Sequence, residues 1–509
     1  MDKTKRTITA LSLIGRSDFG LIATSCAFTF SILLACGFFL FKKTAYLDDS
    51  FIYLHMAANI VEMGTARYFP IADSGMLLSS SPLRLLTLVP GFLILDAFNI
   101  PLRTIEAARF AFLCSGFVAF LFFSPFWTNR IRVYLLCGTA FFLLSASLDT
   151  LFLMEGGVLF LSLFTFIKLL NERADNHFGM GLAVLLVGLS RPEIGVVATI
   201  STALIYFSKP RVLARIMLGL AVGFLAYSAL MLALGVYPIP STIWSKLVTG
   251  RLRLFTDKTL IEVLPMSIAQ IIGLSSSWVG WVLIGLPAAI SPALSRGAIP
   301  VLSALSLLLI IAMSMPGNFV WYSENVLIAL LAILMAVTIE LFRKRLTSIS
   351  ILLGMALLLT FSLTLVANFG KNKNYPWNEN SPAYLAYQEV GRSSIGDGKY
   401  VIDRYSSEPV RIRMCEIGIV SFFSGPNSWI YDVCGLIQIG NLKGASRSWL
   451  RFFYPPSFRE TGDDQLMRFK DNQTTHVIDV WALRSKEEAA GAIGKCKFVD
   501  DRLCINEYK

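Results

Sequence analysis

From its first residue to about Asn368 the chain alternates long apolar blocks with short polar interruptions, and beyond that point its character changes. The first block runs from Phe19 to Phe41. Others fall near 83–98, 105–127, 131–147, 153–170, 179–190, 193–208, 211–235, 265–290, 298–315, 324–342 and 349–368. Blocks this long, without a polar stripe, predict helices that are apolar on every side, as bilayer spans of roughly 20 residues are. Several blocks are shorter than that and are expected to be half-helices or re-entrant segments covered by their neighbours. The first block follows a basic start (Lys3, Lys5, Arg6, Arg16) and is too long for the core of a cleavable signal peptide, so it predicts a retained first span. Leu33-Leu34-Ala35-Cys36-Gly37 has the look of a lipoprotein cleavage box, but the apolar run continues past it.

The predicted architecture is mainly α. A polytopic helical domain of about 11–13 helices occupies residues 1–368, and a soluble C-terminal α/β domain occupies 369–509. The second part is large enough for a core of its own. Its apolar runs are short and β-branched, as in Tyr400-Val401-Ile402 and Val477-Ile478-Asp479-Val480, which is the pattern of strands.

Composition agrees with this division. Of 509 residues, 55% are hydrophobic and only 16% charged, against roughly 25% charged in soluble domains. The mean hydropathy is +0.63. A net charge of +11 raises the question of nucleic acid, yet the basic residues fall in short groups between apolar blocks: Lys42-Lys43, Arg211 with Arg215, and Arg343-Lys344-Arg345. That placement marks topology, so no nucleic-acid partner is expected.

Orientation follows from the same groups. Arg343-Lys344-Arg345 between two blocks reads as cytoplasmic, so the last block delivers the tail to the outside, and a basic N-terminus is also expected inside. Both together need an odd number of crossings, so one of the twelve blocks does not cross. The expected location is a membrane that the chain crosses many times, with a cytoplasmic N-terminus and an exoplasmic C-terminal domain. Cys26, Cys36, Cys114 and Cys137 lie in or beside apolar blocks and are read as small buried residues. Cys415, Cys434, Cys496 and Cys504 all lie in the exported tail, which predicts disulfides, most simply 415 with 434 and 496 with 504. A zinc site competes, but the tail has one histidine, His476, and wide cysteine spacings.

The first chemistry appears directly after the first span, in Tyr46-Leu47-Asp48-Asp49-Ser50-Phe51-Ile52-Tyr53. Adjacent carboxylates at a membrane surface are electrostatically costly unless something uses them. One of them as general base could take a proton from an attacking hydroxyl while its neighbour orients a group or a cation. The competing account is that Asp48 or Asp49 caps a helix beginning near Ser50. Further polar residues interrupt apolar sequence: Glu155 in Met154-Glu155-Gly156, and Arg191 and Glu193 in Ser190-Arg191-Pro192-Glu193. Arg191 and Glu193 serve either a ligand or a structural ion pair at a helix break. Lys246, with Arg251 and Arg253, follows Tyr237-Pro238-Ile239-Pro240 and either holds a phosphate or is an ordinary juxtamembrane basic residue. Tyr53 and His55, on the segment that follows the acidic pair, complete the substrate-binding candidates.

Taken in order, Asp48-Asp49-Ser50-Phe51-Ile52, Asn59, Gly64, Ser80-Ser81-Pro82-Leu83, Met154-Glu155, Ser190-Arg191-Pro192-Glu193 and Pro240-Ser241-Thr242-Ile243-Trp244-Ser245-Lys246 resemble the C-type (GT-C) membrane glycosyltransferases. The pattern looks closest to the actinobacterial β-arabinofuranosyltransferases that use a polyprenyl-phosphate arabinose. Glu416-Ile417-Gly418 and Tyr431-Asp432-Val433-Cys434-Gly435-Leu436 extend the likeness into the tail. Ser241 and Glu416 depart from that branch's usual Asn and Asp. The resemblance implies a polyprenyl-phosphate sugar donor, a glycan acceptor of the cell envelope, inversion at the anomeric carbon, and Asp48 or Asp49 as base, with Asp49 preferred. It implies Arg191 and Lys246 as donor-phosphate or structural partners. No cofactor is required and no metal ligand set is visible, although paired carboxylates are compatible with a divalent cation. The alternative function is a transporter or flippase for lipid-linked sugars that performs no chemistry, but the expected internal repeat is not visible.

Overall fold

The computed structural model describes residues 25–37, 48–68, 77–127, 155–171 and 176–240, together with short pieces at 138–142, 328 and 332 and parts of 410–432 and 477–508. These residues are mainly helical. In chain order the helices are α1 (Ser25–Gly37), α2 (Asp48–Met63), α3 (Pro82–Ala97), α4 (Ile105–Phe123, continued by a 3-10 turn Ser124–Trp127), α5 (Gly156–Asn171), α6 (His177–Ser190), α7 (Pro192–Tyr206) and α8 (Pro210–Ala233). The predicted blocks at 83–98, 105–127, 153–170, 179–190, 193–208 and 211–235 therefore each contain one helix.

Local sequence explains the helix ends. Ser81, Thr104 and Asn176 cap α3, α4 and α6 by accepting from the amides of Arg84, Ala107 and Gly179 at 3.3, 3.1 and 2.8 Å. Pro82, Pro192 and Pro210 stand at the first helical position, where a missing N–H costs nothing. Helix α2 begins at Asp48, two residues before the start predicted near Ser50, so both acids occupy its first turn. Acidic residues are favoured there by the unpaired amides and the helix dipole. It ends at Gly64, whose φ of 68° suits the left-handed residue that closes a helix.

Among the described residues, two helices are long and apolar enough to cross a membrane, Ile105–Phe126 with 22 residues and Pro210–Ala233 with 24. At 1.5 Å per residue α8 is about 36 Å long, more than the roughly 30 Å of a hydrocarbon core. Helices α5, α6 and α7, of 16, 14 and 15 residues, are shorter than a straight span needs. Most of α8 is not buried by protein: Leu218, Leu225 and Leu232 are among its exposed residues. Water penalises a continuous apolar surface of that kind. The opposite face of α8 packs on α6 so closely that a side chain at Gly219 would strike the Phe178 carbonyl oxygen.

The core runs through α2 to α6, with Phe51, Leu54, Leu88, Phe92, Phe112, Phe120 and Phe160 fully buried. Among the described residues of the tail, five strands form one sheet in the order β2-β1-β3-β5-β4: β1 (Val410–Met414), β2 (Ser428–Asp432), β3 (Val477–Ala482), β4 (Phe498–Val499) and β5 (Leu503–Tyr508). Strand β1 runs parallel to β2 and β3, whereas β5 is antiparallel to β3 and β4. Strand β3 coincides with the predicted β-branched run. The blocks between 265 and 368, the Arg343 cluster, Lys246 and the bonding of the four tail cysteines lie outside the described residues.

Candidate functional site

Two polar clusters meet on α2, and between them they hold four of the residues selected from sequence: Tyr53, Glu155 and Arg191 in one and His55 in the other. The first is buried. The Tyr53 hydroxyl donates to Glu155 Oε2 at 3.1 Å and lies 2.6 Å from Ser80 Oγ. A phenol has a single proton, so Ser80 donates to the tyrosine oxygen. Glu155, just before α5, forms an ion pair with Arg191, which occupies the break between α6 and α7. Both are enclosed, with side-chain exposures of 0% and 2%. The sequence allowed Arg191 to pair with Glu193. The partner found for it is Glu155, while Glu193 stands in the first turn of α7 with its side chain outside the described residues.

Serine hydroxyls tie the surrounding backbone. Ser81 Oγ donates to the Leu189 carbonyl at 3.3 Å, and Ser190 Oγ lies 3.1 Å from Ser162 Oγ. The N-termini of α3, α5 and α7 therefore face a common region, and helix N-termini carry positive potential. Arg84, which was not selected from sequence, adds to it from the first turn of α3. It is buried, donates to Ser115 Oγ at 2.5 Å, and stands over the Phe112 ring at 5.4 Å. Its Nε and Nη2 have no hydrogen-bond partner among the described residues. The signal was present in the sequence: an arginine two residues inside an apolar block is the same anomaly that identified Glu155.

A groove of about 350 Å³ opens beside this cluster, lined by Pro82, Leu185, Leu189, Pro192, Phe224 and Pro238 among others. Its walls are almost wholly apolar, and they come from α6, α7 and α8, with Pro82 of α3 and residues 238–240 beyond α8 completing them. Pro82 and Pro192 belong to the groove and directly follow Ser81 and Arg191, so the apolar trough ends where the ionic cluster begins.

The second cluster is built on Arg103, in the loop between α3 and α4. All five guanidinium N–H groups are engaged. Nε and Nη2 donate to Glu62 at 3.0 and 2.6 Å, Nη2 also donates to Asn59 Oδ1 at 2.6 Å, and Nη1 donates to the Phe422 carbonyl at 3.0 Å. The remaining Nη1 proton meets His55 Nδ1 at 2.9 Å. Burial lowers the pKa of Arg103, opposed mainly by Glu62. A guanidinium only donates, so His55 accepts through Nδ1 and carries its own proton on Nε2, which donates to the Tyr68 carbonyl at 2.8 Å.

His55 is thus buried, neutral and occupied at both nitrogens. Burial first, then the charge of Arg103, holds its pKa well below the ordinary value of 6.5. An unfolded histidine takes up a proton near pH 6.5, so the stability contributed by the neutral ring is complete above that pH and declines as pH falls towards the lower folded value. The thermal midpoint is expected to fall more steeply below about pH 6.5 in the unaltered protein than in His55→Gln. Parallel pH profiles of the two would refute the assignment.

Asp48 and Asp49 open α2, with their side chains outside the described residues. Helical register still separates them. Position 49 lies on the stripe of Tyr53, four residues on, and position 48 lies on that of Phe51 and His55. Among the described residues no group of three or more His, Cys, Asp or Glu side chains stands together as metal ligands do. No family model matches the chain, and comparison with curated proteins and with solved structures likewise found no match.

Proposed function

We propose that this chain is a membrane-embedded glycosyltransferase that moves a sugar from a polyprenyl-phosphate donor to a glycan acceptor on the outer face of the membrane. The observation that carries the proposal is the juxtaposition at α2: an acidic pair in its first turn, and a side chain one turn later that joins a buried ionic cluster beside an apolar groove. A donor with a long apolar chain, one phosphate and one sugar has the complementary order of parts. Its chain suits the groove, and its phosphate suits the positive helix ends and arginines.

In the proposed step, Asp49 takes the proton from the acceptor hydroxyl as the hydroxyl oxygen attacks the anomeric carbon. The bond from that carbon to the phosphate oxygen breaks, and polyprenyl phosphate leaves with the electron pair. Attack opposite to the leaving group inverts the anomeric centre. Arg191, and Lys246 if it reaches the site, would balance the charge that develops on the leaving phosphate without a metal. The finer architecture belongs to this proposal: a GT-C type helical domain whose other blocks also span, cytoplasmic basic loops, and an exoplasmic α/β tail formed around the five-stranded sheet. Basic residues at the start of α8, Lys209 at its cap and Arg211 in its first turn, support that orientation, since they stand at the end of α8 opposite Pro238. Arabinofuranose is the proposed sugar, on the resemblance alone.

Mass analysis of polyprenyl-phosphate sugars and envelope glycans in cells with and without the protein tests the proposal. Loss of the protein should cause one donor species to accumulate and one glycan linkage to disappear. Unchanged donor and glycan pools would count against it.

A further inference from the structure

Strands β1 and β2 are parallel neighbours, so the chain between them, residues 415–427, must cross over instead of forming a tight turn. This crossover enters the helical core. Ser421 and Phe422 have helical backbone and are both fully buried. The Phe422 ring lies 5.4 Å from that of Phe51 on α2 and 6.3 Å from that of Phe92 on α3, with the Arg103 guanidinium 6.0 Å from its centroid. Arg103 also donates to the Phe422 carbonyl, and the same guanidinium holds His55, Asn59 and Glu62 of α2. A buried aromatic ring is among the largest single contributions to a contact. Phe51 lies one turn from Asp48, so this contact falls on the part of α2 that opens with the acidic pair.

We infer that the tail is a working part of the α2 site: the Ser421–Phe422 wedge, latched by Arg103, sets the position of the turn that carries Asp48 and Asp49. The inference rests on the proposal that these acids carry the chemistry. Phe422 is then a positioning residue, acting through Phe51 and Arg103 without touching substrate. Whatever the sheet binds gains a mechanical route to the acids, because the crossover belongs to the sheet and to the helical core at once.

The test uses the full chain in lipid nanodiscs with Phe422→Ala, Phe422→Leu and Arg103→Lys, measured in two ways. Amide hydrogen exchange reports the positioning by itself. Phe422→Ala should speed exchange in the first two turns of α2 about tenfold while leaving α6 to α8 unchanged, and Phe422→Leu, which keeps most of the apolar volume, should restore most of the protection. Arg103→Lys keeps the ring but loses the fork, and should give a smaller change of the same sign. With a polyprenyl-phosphate sugar as donor, kcat should fall about tenfold in Phe422→Ala with donor KM within about twofold, because the donor's own contacts remain. Unchanged exchange in α2 would overturn the wedge, and so would faster exchange with kcat intact. If the unaltered chain has no transfer activity, the function falls and the exchange result alone decides the wedge. Should Phe422→Ala fail to fold, Arg103→Lys and Phe422→Leu carry the same comparison.

Discussion

Asp49→Asn is expected to lower sugar transfer by about 100-fold or more, the usual contribution of a positioned general base. Asparagine keeps the size of the side chain and is accepted at the start of a helix, so α2 should form as before and the thermal midpoint should change little. What is lost is a group able to take the proton of the attacking hydroxyl. Asp48→Asn should also be strongly impaired if the second carboxylate orients the first or holds a cation. The register of α2 predicts the difference between them: position 49 shares its stripe with Tyr53 and the ionic cluster, position 48 with Phe51 and His55. Full activity in both variants would remove the chemistry from α2.

Glu155→Gln should produce the largest loss of stability. It removes the negative charge of Glu155 from beside the enclosed Arg191 guanidinium, which is 2% exposed. Breaking a buried pair from one side costs on the order of 3–5 kcal/mol, a large share of the roughly 5–15 kcal/mol that holds most proteins folded. Tyr53 would keep an acceptor in the Gln side chain, so the loss is chiefly one of charge. Removing both charges with Glu155→Gln and Arg191→Met should recover much of the stability, because an apolar replacement of a whole buried pair is often nearly neutral. Transfer should not recover with it if Arg191 supports the leaving phosphate. Thermal unfolding and transfer rates of the two single variants and the double variant separate these roles. Equal destabilisation in Glu155→Gln and the double variant would show that the loss does not come from an uncompensated charge on Arg191.

Much of the helical part was legible because its cause is local. The apolar blocks at 105–127 and 211–235 became α4 and α8, and the Ser190-Arg191-Pro192 interruption became the break between α6 and α7. Pairings were not legible, since nothing local specifies them. Glu155 and Arg191 each stood out as a charge in apolar sequence, yet their ion pair depends on how α5 meets the break between α6 and α7. Arg84 was overlooked although the same rule identifies it. Arg103 and Glu62 look like ordinary loop and helix-end charges, and only packing shows that one guanidinium joins three residues of α2 to a carbonyl 319 positions away. For Phe422, the sequence Ser-Phe-Phe-Ser in a polar tail contains no signal of docking. The separation of Tyr53 from His55 has a plain origin: two residues apart on a helix, they point about 200° apart and join different clusters.

The most direct measurement is turnover by the purified protein in lipid vesicles, supplied with a polyprenyl-phosphate sugar and a glycan acceptor. Polyprenyl phosphate should be released in step with a new glycosidic bond of inverted configuration, and both should be lost in Asp49→Asn. Movement of the intact donor across the bilayer with no new bond, or equal turnover in Asp49→Asn, would contradict this.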